Sequence, residues 1–180
     1  MRPFLKHSLL QLALLPALFI VTACITACGK KESAAGATVA QLDGSLTRAQ
    51  IESGPLEPTC SLEGVFAIAT QTRYVAEGAA YSVPKDLAYK LIGFGTRKAA
   101  GSTLGPFSLH LASVAAVYTV QGQTGLERPD VVAYFNSPGM LGASFQVDVD
   151  LKGVPSGDYA VYLKPSTGPT CPTHHTNRVS

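Results

Sequence analysis

The sequence predicts an all-β protein built as a single antiparallel sandwich with one short helical turn. Two segments alternate apolar and polar residues with period two, and turn-forming residues separate them from several other short apolar runs. The 180 residues suit one domain, because that length can bury enough apolar surface to fold without a cofactor. The charged fraction of 14%, together with 17 glycines and 12 prolines, argues against a coiled coil.

Residues 1–27 have the pattern of an export signal, which we expect to form a signal helix. Arg2 and Lys6 precede an almost continuously apolar run from Leu9 to Val21. A short basic segment followed by an apolar one and by small residues is typical of a secretory signal peptide. If the apolar run is extended to Ala27, its length approaches that of a membrane span, so a retained membrane anchor is the alternative.

Two tetrapeptides at the end of this signal, Val21-Thr22-Ala23-Cys24 and Ile25-Thr26-Ala27-Cys28, resemble the bacterial lipobox. In that class of signal the cysteine thiol receives a diacylglyceryl group, and cleavage before the cysteine exposes an amine that is acylated as well. Two or more acyl chains anchor a protein stably, whereas one chain gives marginal binding. The resemblance therefore implies a lipoprotein of the bacterial envelope, held at the membrane by palmitate-type acyl chains.

Two observations disagree about which of the two cysteines is lipidated. The length of the apolar run favours Cys24. Parity favours Cys28, because Cys60 and Cys171 then remain as an even pair in an oxidising compartment. We predict lipidation of Cys28, with Cys24 as the alternative. Gly29 then follows the anchor, and by resemblance to enterobacterial sorting, where aspartate there retains a protein in the inner membrane, it implies the outer membrane facing the periplasm.

The net charge of +2 belongs to the export signal. Removal of residues 1–27 takes away two of the 14 basic residues and leaves 12, against 12 acidic ones. A neutral mature chain has no basic excess to neutralise a phosphate backbone, so we expect no nucleic-acid partner.

Residues 28–59 are predicted to be the lipidated cysteine and a flexible tether. The segment is rich in Ala, Gly, Ser and Thr and has no sustained apolar period. About 30 such residues have an r.m.s. reach of roughly 30 Å. The alternative for part of it is one helical turn over Thr47–Ile51, with Thr47 as the cap and Gln50 three residues further on.

Residues 60–175 are predicted to form the β domain, followed by a tail over 176–180. The clearest alternation lies in Phe107–Ala112, which places His110 on a polar face, and in Phe145–Leu151. Weaker strand candidates are Ser61–Ala69, Tyr81–Val83, Ala88–Phe94, Val117–Gln121 and Tyr159–Leu163.

Arg128–Phe135 departs from the strand pattern and predicts a short helical turn, which Asn136-Ser137-Pro138-Gly139 ends. Pro129 suits the first helical position, and Asp130 suits the positive end of the helix. We expect Val131 and Phe135 to pack against a sheet edge. Arg128 and Asp130 are interpreted as a cap and a local ion pair, the alternative being an active pair.

The order of these features resembles a β-sandwich module of proteobacterial envelope proteins that is sometimes appended to glycosyltransferases. In this sequence phenylalanine stands where the module has tryptophan, glutamate where it has aspartate, and serine where it has glycine. The resemblance covers about residues 60–171 and implies an immunoglobulin-like fold without known catalytic residues. The matching stretches are Ser61-Leu62-Glu63, Gly93-Phe94, Ser108–Leu111, Arg128-Pro129-Asp130-Val131, Ala143-Ser144-Phe145 and Gly157-Asp158-Tyr159.

The remaining cysteines predict a disulfide, and the nearby histidines do not predict a metal site. Cys60 opens the domain and Cys171 closes it, each preceded by Pro-Thr. His174 and His175 follow, but adjacent side chains on an extended segment point apart, and the thiol is used in the bridge. We therefore predict no metal and no cofactor.

The function that these features favour is non-catalytic binding or structural support, with a protein or glycan partner in the envelope. The sequence assembles no nucleophile, base and orienting group, so no catalytic residue is predicted. One alternative is a glycan-binding accessory module, which a flat patch of Tyr118, Tyr134 and Tyr162 would favour. The other is an envelope hydrolase, which a cleft uniting Arg128, Asp130 and a histidine would favour.

Overall fold

The computed structural model describes residues 36–57 and 59–180. The predicted signal over 1–27 and the lipidation candidates Cys24 and Cys28 lie outside the described residues. Within them, no helix combines the length and the apolar character needed to cross a membrane. The described chain is mostly β, and its sheet is nearly closed into a barrel.

The described part of the chain contains twelve strands, two α-helices and two 3₁₀ turns. The turns are Lys98–Ala100 and Pro138–Met140. The helices are α1 (Arg48–Ser53) and α2 (Pro129–Phe135). The strands are β1 (Thr38–Val39), β2 (Gln41–Leu42), β3 (Cys60–Ala67), β4 (Arg73–Tyr74), β5 (Ala80–Val83), β6 (Ala88–Arg97), β7 (Ser102–Thr103), β8 (Pro106–Ala112), β9 (Val117–Leu126), β10 (Ser144–Asp150), β11 (Gly157–Pro165) and β12 (Cys171–Val179).

The strands follow one continuous path in the order β4-β3-β6-β10-β9-β8-β11-β12-β5. Most neighbours are antiparallel, but β5 runs parallel to β12 and β1 runs parallel to β10. β3 and β12 contact each other without a ladder between their described residues. The predicted disulfide between Cys60 and Cys171 is present there, with the two Cα atoms 5.8 Å apart. A covalent bond thus joins β3 to β12, between whose described residues no strand ladder forms, and a two-sheet sandwich is not confirmed.

All seven segments predicted as strands are strands, and their alternation sets the core. Phe107, Leu109 and Leu111 of β8 are buried inside the curled sheet, as are Phe145 and Val147 of β10. The two phenylalanine rings meet edge to face at 5.3 Å. Apolar residues of the other strands complete the same cluster, so period two correctly identified the inward face.

The tether prediction is wrong for residues 36–57, because this segment is packed against the domain. β9 and β10 pair directly at two positions, near Phe145. Farther along these two strands, β1 pairs with β10 and β2 pairs with β9. Ala40, between the two short strands, is buried in the main core, and its N–H donates to the carbonyl of Asp150 at 3.0 Å. The N-terminal segment therefore fills the gap between two strands of the sheet.

α1 forms at the helical turn that was the alternative to a tether. The hydroxyl of Thr47 accepts a hydrogen bond from the N–H of Gln50, whose side chain accepts one from the N–H of Thr47. Ile51 is buried against a second apolar cluster that includes Ala112 and Tyr162. One buried residue in six is enough here, because the outer face of β8 and β11 supplies the complementary apolar surface.

His110 is buried, so the expectation of a solvated histidine is wrong. Its Nδ1 lies 2.9 Å from the hydroxyl oxygen of Thr119 on β9. His110 shares its face of β8 with Ala112, which α1 covers. Burial lowers the pKa of His110, because the charged imidazolium loses its hydration.

β12 corrects the prediction of a tail over 176–180. The strand continues to Val179 and pairs with both β11 and β5. Its buried residues include Thr173, Asn177 and Val179, and its inner face thus carries polar side chains. The prediction that the adjacent histidines point apart is confirmed: His174 is exposed, whereas the ring of His175 lies 5.3 Å from that of the buried Tyr81.

Candidate functional site: a groove beside the disulfide

A groove of about 1540 Å³ lies outside the sheet, next to the disulfide. α2, the beginning of β3 and the loops before β3 and before β12 form most of its lining. β6, the turn that begins at Lys98, and β12 contribute one residue each. The lining residues are Pro55, Leu56, Glu57, Thr59, Cys60, Ser61, Glu63, Phe94, Lys98, Arg128, Asp130, Val131, Tyr134, Phe135, Gly168, Pro169 and His174.

α2 begins and ends as its sequence predicts. Pro129 occupies the first turn, and Asn136 ends the helix in the left-handed conformation, with φ of 49°. The expected packing of Val131 and Phe135 against the sheet is confirmed, since both belong to a small cluster that includes Phe94 of β6. This apolar packing fixes α2 on the sheet, and Asp130, Val131, Tyr134 and Phe135 of the helix line the groove.

Arg128 joins α2 to the sheet through two carboxylates. Its Nε and Nη2 donate to the two oxygens of Asp130 at 2.8 and 2.7 Å. Its Nη1 and Nη2 donate to the two oxygens of Glu63 on β3 at 2.7 and 3.2 Å. The expected local ion pair is therefore present, and Glu63 extends it into a three-residue cluster. We call Glu63, Arg128 and Asp130 the ion cluster.

The hydrogen bonds between Arg128 and Asp130 favour the charged forms of both side chains. Hydrogen bonds from Arg128 lower the pKa of Asp130 to about 2, and the same bonds raise the pKa of Arg128. The guanidinium carbon also lies 5.3 Å from the ring centre of Phe94, a cation–π contact. Asp130 is thus a permanent anion at neutral pH, which suits electrostatic recognition better than proton transfer.

Glu63 is the member of the cluster that sequence reasoning missed. It lies 65 residues from Arg128 in the chain. Alternation along β3 places it on the outer face, where its partner depends on what packs there. An isolated glutamate on a strand gives no signal of that partner, so the contact became visible in the fold.

Glu57 and Lys98 form a second polar contact in the lining. The carboxylate of Glu57 accepts a hydrogen bond from the backbone N–H of Lys98. The loop that carries Glu57 is itself held by two backbone hydrogen bonds of 2.9 Å with Thr170, next to the disulfide. This part of the groove is thereby attached to the closed end of the sheet.

The three tyrosines proposed as a glycan platform do not lie on one surface. Tyr118 and Tyr162 are buried, whereas the side chain of Tyr134 on α2 is 83% exposed. Tyr134 meets the ring of Phe135 edge to face, with ring centres 4.8 Å apart. A single exposed aromatic side chain therefore projects from α2, rather than a flat patch.

His174 lines the same groove as Arg128 and Asp130. Among the described residues, no hydrogen bond links His174 to a carboxylate. Nor does the described part of the chain bring together three histidine, cysteine, aspartate or glutamate residues that could hold a metal ion. The groove thus unites the residues named for a hydrolase without the hydrogen-bonded order of a catalytic set.

The chain matches no family model, no curated protein and no solved structure. Its function is therefore inferred from the groove and from the sequence patterns.

Proposed function

We propose that this chain is a lipid-anchored protein of the bacterial envelope that binds a partner protein, without catalysis, through the groove beside the disulfide. Acyl chains on Cys28, or alternatively on Cys24, hold it in the outer membrane facing the periplasm. The observation that carries the binding role is the exposed Tyr134 on the same helix as Asp130, whose side chain is held in the ion cluster by Arg128. The disulfide is in keeping with an exported protein, because such bonds persist in oxidising compartments.

The packed N-terminal segment supports a partner that lies close to the membrane. If Cys28 carries the acyl chains, the covalent chain from Cys28 to Gly36 spans at most about 30 Å. The domain then stays near the lipid surface instead of ranging over the reach expected of a 30-residue tether. We accordingly expect the partner to be a membrane-associated or membrane-proximal protein.

The kinship with the envelope module is part of the same proposal. Its support is the Arg128-Pro129-Asp130 sequence, which forms a helical start with an ion pair beside Phe94 of β6. An immunoglobulin-like arrangement requires two separable sheets, which the continuous strand order does not provide, so this part of the proposal rests on the local sequence alone. The binding role does not depend on it.

Lipid anchoring is tested by labelling with radioactive palmitate in cells. Wild type should incorporate label and sediment with membranes, and the Cys24→Ala/Cys28→Ala variant should do neither. The two single variants identify the acylated cysteine. Unchanged sedimentation of the double variant would contradict the lipid anchor.

Partner binding is tested with a photocrosslinking amino acid at position 134 of the anchored protein in its own envelope. A matched control carries the same amino acid at Val114, an exposed residue that does not line the groove. We expect a discrete crosslinked protein from position 134 that is absent from position 114. Identical products from both positions, or none from position 134, would refute the groove as the binding site.

An envelope hydrolase is the second candidate, because His174, Arg128 and Asp130 line one groove. A hydrolase would release soluble fragments from labelled envelope glycan or peptide, and His174→Ala would abolish the release. Because Arg128 keeps Asp130 ionised, this carboxylate is suited to binding and poorly suited to proton transfer. It therefore favours the binding role over the hydrolase.

A further inference from the structure

The exposed side of the ion cluster is negative. The cluster has two carboxylates and one guanidinium, so its net charge is −1. The Arg128 side chain is 20% exposed, compared with 38% for Glu63 and 65% for Asp130. An approaching group therefore meets carboxylate oxygens before it meets the guanidinium.

The carboxylates keep capacity for another donor. An ionised carboxylate has about four lone-pair sites, and Arg128 uses two on each partner. The guanidinium, in contrast, directs its Nε, Nη1 and Nη2 at these oxygens, and its carbon lies over the ring of Phe94. The cluster is thus suited to accept hydrogen bonds from a cationic group, and poorly suited to bind an anion.

The rest of the lining does not reverse this charge. Glu57 and Lys98 are adjacent and contribute opposite charges. Tyr134 adds an exposed aromatic ring on the same helix as Asp130, and such a ring attracts an ammonium or guanidinium group as well as an apolar side chain.

The size of the groove favours a chain segment over a small molecule. Its volume of about 1540 Å³ exceeds the roughly 300–1,000 Å³ of common small-ligand sites. We infer that the groove binds an extended segment of a partner protein that places a lysine or arginine against Glu63 and Asp130 and an apolar side chain against Tyr134. This inference rests on the proposed binding function and specifies the chemistry of the partner.

The test uses the full chain in nonionic detergent and a fluorescein-labelled octapeptide of alternating lysine and leucine. The control peptide has every lysine acetylated, which removes the charges and keeps the side-chain stems. Fluorescence anisotropy should show about tenfold tighter binding of the lysine peptide, weakening with added salt. Equal affinities of the two peptides, or binding that is insensitive to salt, would overturn the inference.

Two variants with the same net charge locate the interaction. Asp130→Asn should weaken binding of the lysine peptide about fivefold. Asp158→Asn should leave it unchanged, since Asp158 is also an exposed carboxylate, 2.8 Å from Arg178 Nε, but does not line the groove. Equal losses in both variants would mean non-specific attraction and would refute the site.

Small cations give a separate outcome. Competition by spermidine at the same molar concentration as the peptide would assign the groove to polyamines and overturn the protein segment. A crosslinked partner at position 134, together with equal affinities of the two peptides, would refute the cationic chemistry and leave the binding function intact.

Discussion

Removal of the Cys60–Cys171 disulfide should cost a large part of the domain's stability. The two cysteines are 111 residues apart in sequence, and closing a loop of that length in the unfolded chain corresponds to about 4.8 kcal/mol at 25 °C. Domains of this kind are stable by about 5–15 kcal/mol. The Cys60→Ala/Cys171→Ala variant is therefore expected to fold with a small remaining free energy of unfolding.

Urea unfolding followed by circular dichroism measures this loss. With a slope of about 2 kcal/mol/M, the midpoint should fall by about 2.4 M. The slope itself should rise, because the unfolded chain without the crosslink exposes more surface. Wild type unfolded under reducing conditions is the matched control, since it lacks the bond but retains both buried sulfur atoms.

Because the disulfide lies between β3 and β12, its removal should also have a local effect on these two strands. β3 and β12 have no ladder between their described residues, so their amides should exchange with deuterium faster in the variant than those of β8 and β9, which are paired along their lengths. A loss of less than about 1 kcal/mol, with unchanged exchange in β3 and β12, would refute the view that this bond closes the sheet.

Three further predictions concern the ion cluster, the buried histidine and the N-terminal segment. In Arg128→Gln the pKa of Asp130 should return from about 2 towards its ordinary value of 3.8 in an NMR titration; an unchanged pKa would exclude the ion pair. His110 has a lowered pKa in the fold, so below about pH 6.5 the unfolded chain binds the proton first and the unfolding free energy should fall as pH falls. The slope is at most about 1.4 kcal/mol per pH unit, and urea unfolding of His110→Gln should lack this contribution. Ile51→Ala should lower the unfolding free energy by about 2–4 kcal/mol, whereas a mobile tether would give no change.

The strands that the sequence predicted are those in which burial differs between the two faces. β8 and β10 alternate apolar and polar residues, and period two alone identified Phe107 and Phe145 as inward residues. β12 gave no such signal, because its inner face carries Thr173, His175 and Asn177. A strand that buries polar side chains is recognisable when its neighbours are known.

The N-terminal segment was misjudged for a related reason. The apolar residues of this segment, Ala40 and Ile51 among them, follow neither a sustained strand period nor a sustained helical one. Ala40 and Ile51 are buried because β9 and β10 diverge and because the outer face of β8 and β11 has an apolar area. His110 lies on the same face of β8 as Ala112 and is buried as well, although its place in the alternating pattern had predicted exposure to solvent.

By itself the sequence determined the all-β character of the domain, the inward faces of its main strands, the helical turn at Pro129 and the pairing of Cys60 with Cys171. These follow from short-range periodicity, from local backbone preferences and from the parity of the cysteines. The tertiary structure decided that the sheet curls until β3 meets β12, and that Glu63 reaches Arg128 to form one side of a groove. Those contacts join residues far apart in the chain, and their free energy depends on surfaces that exist only after the sheet has closed.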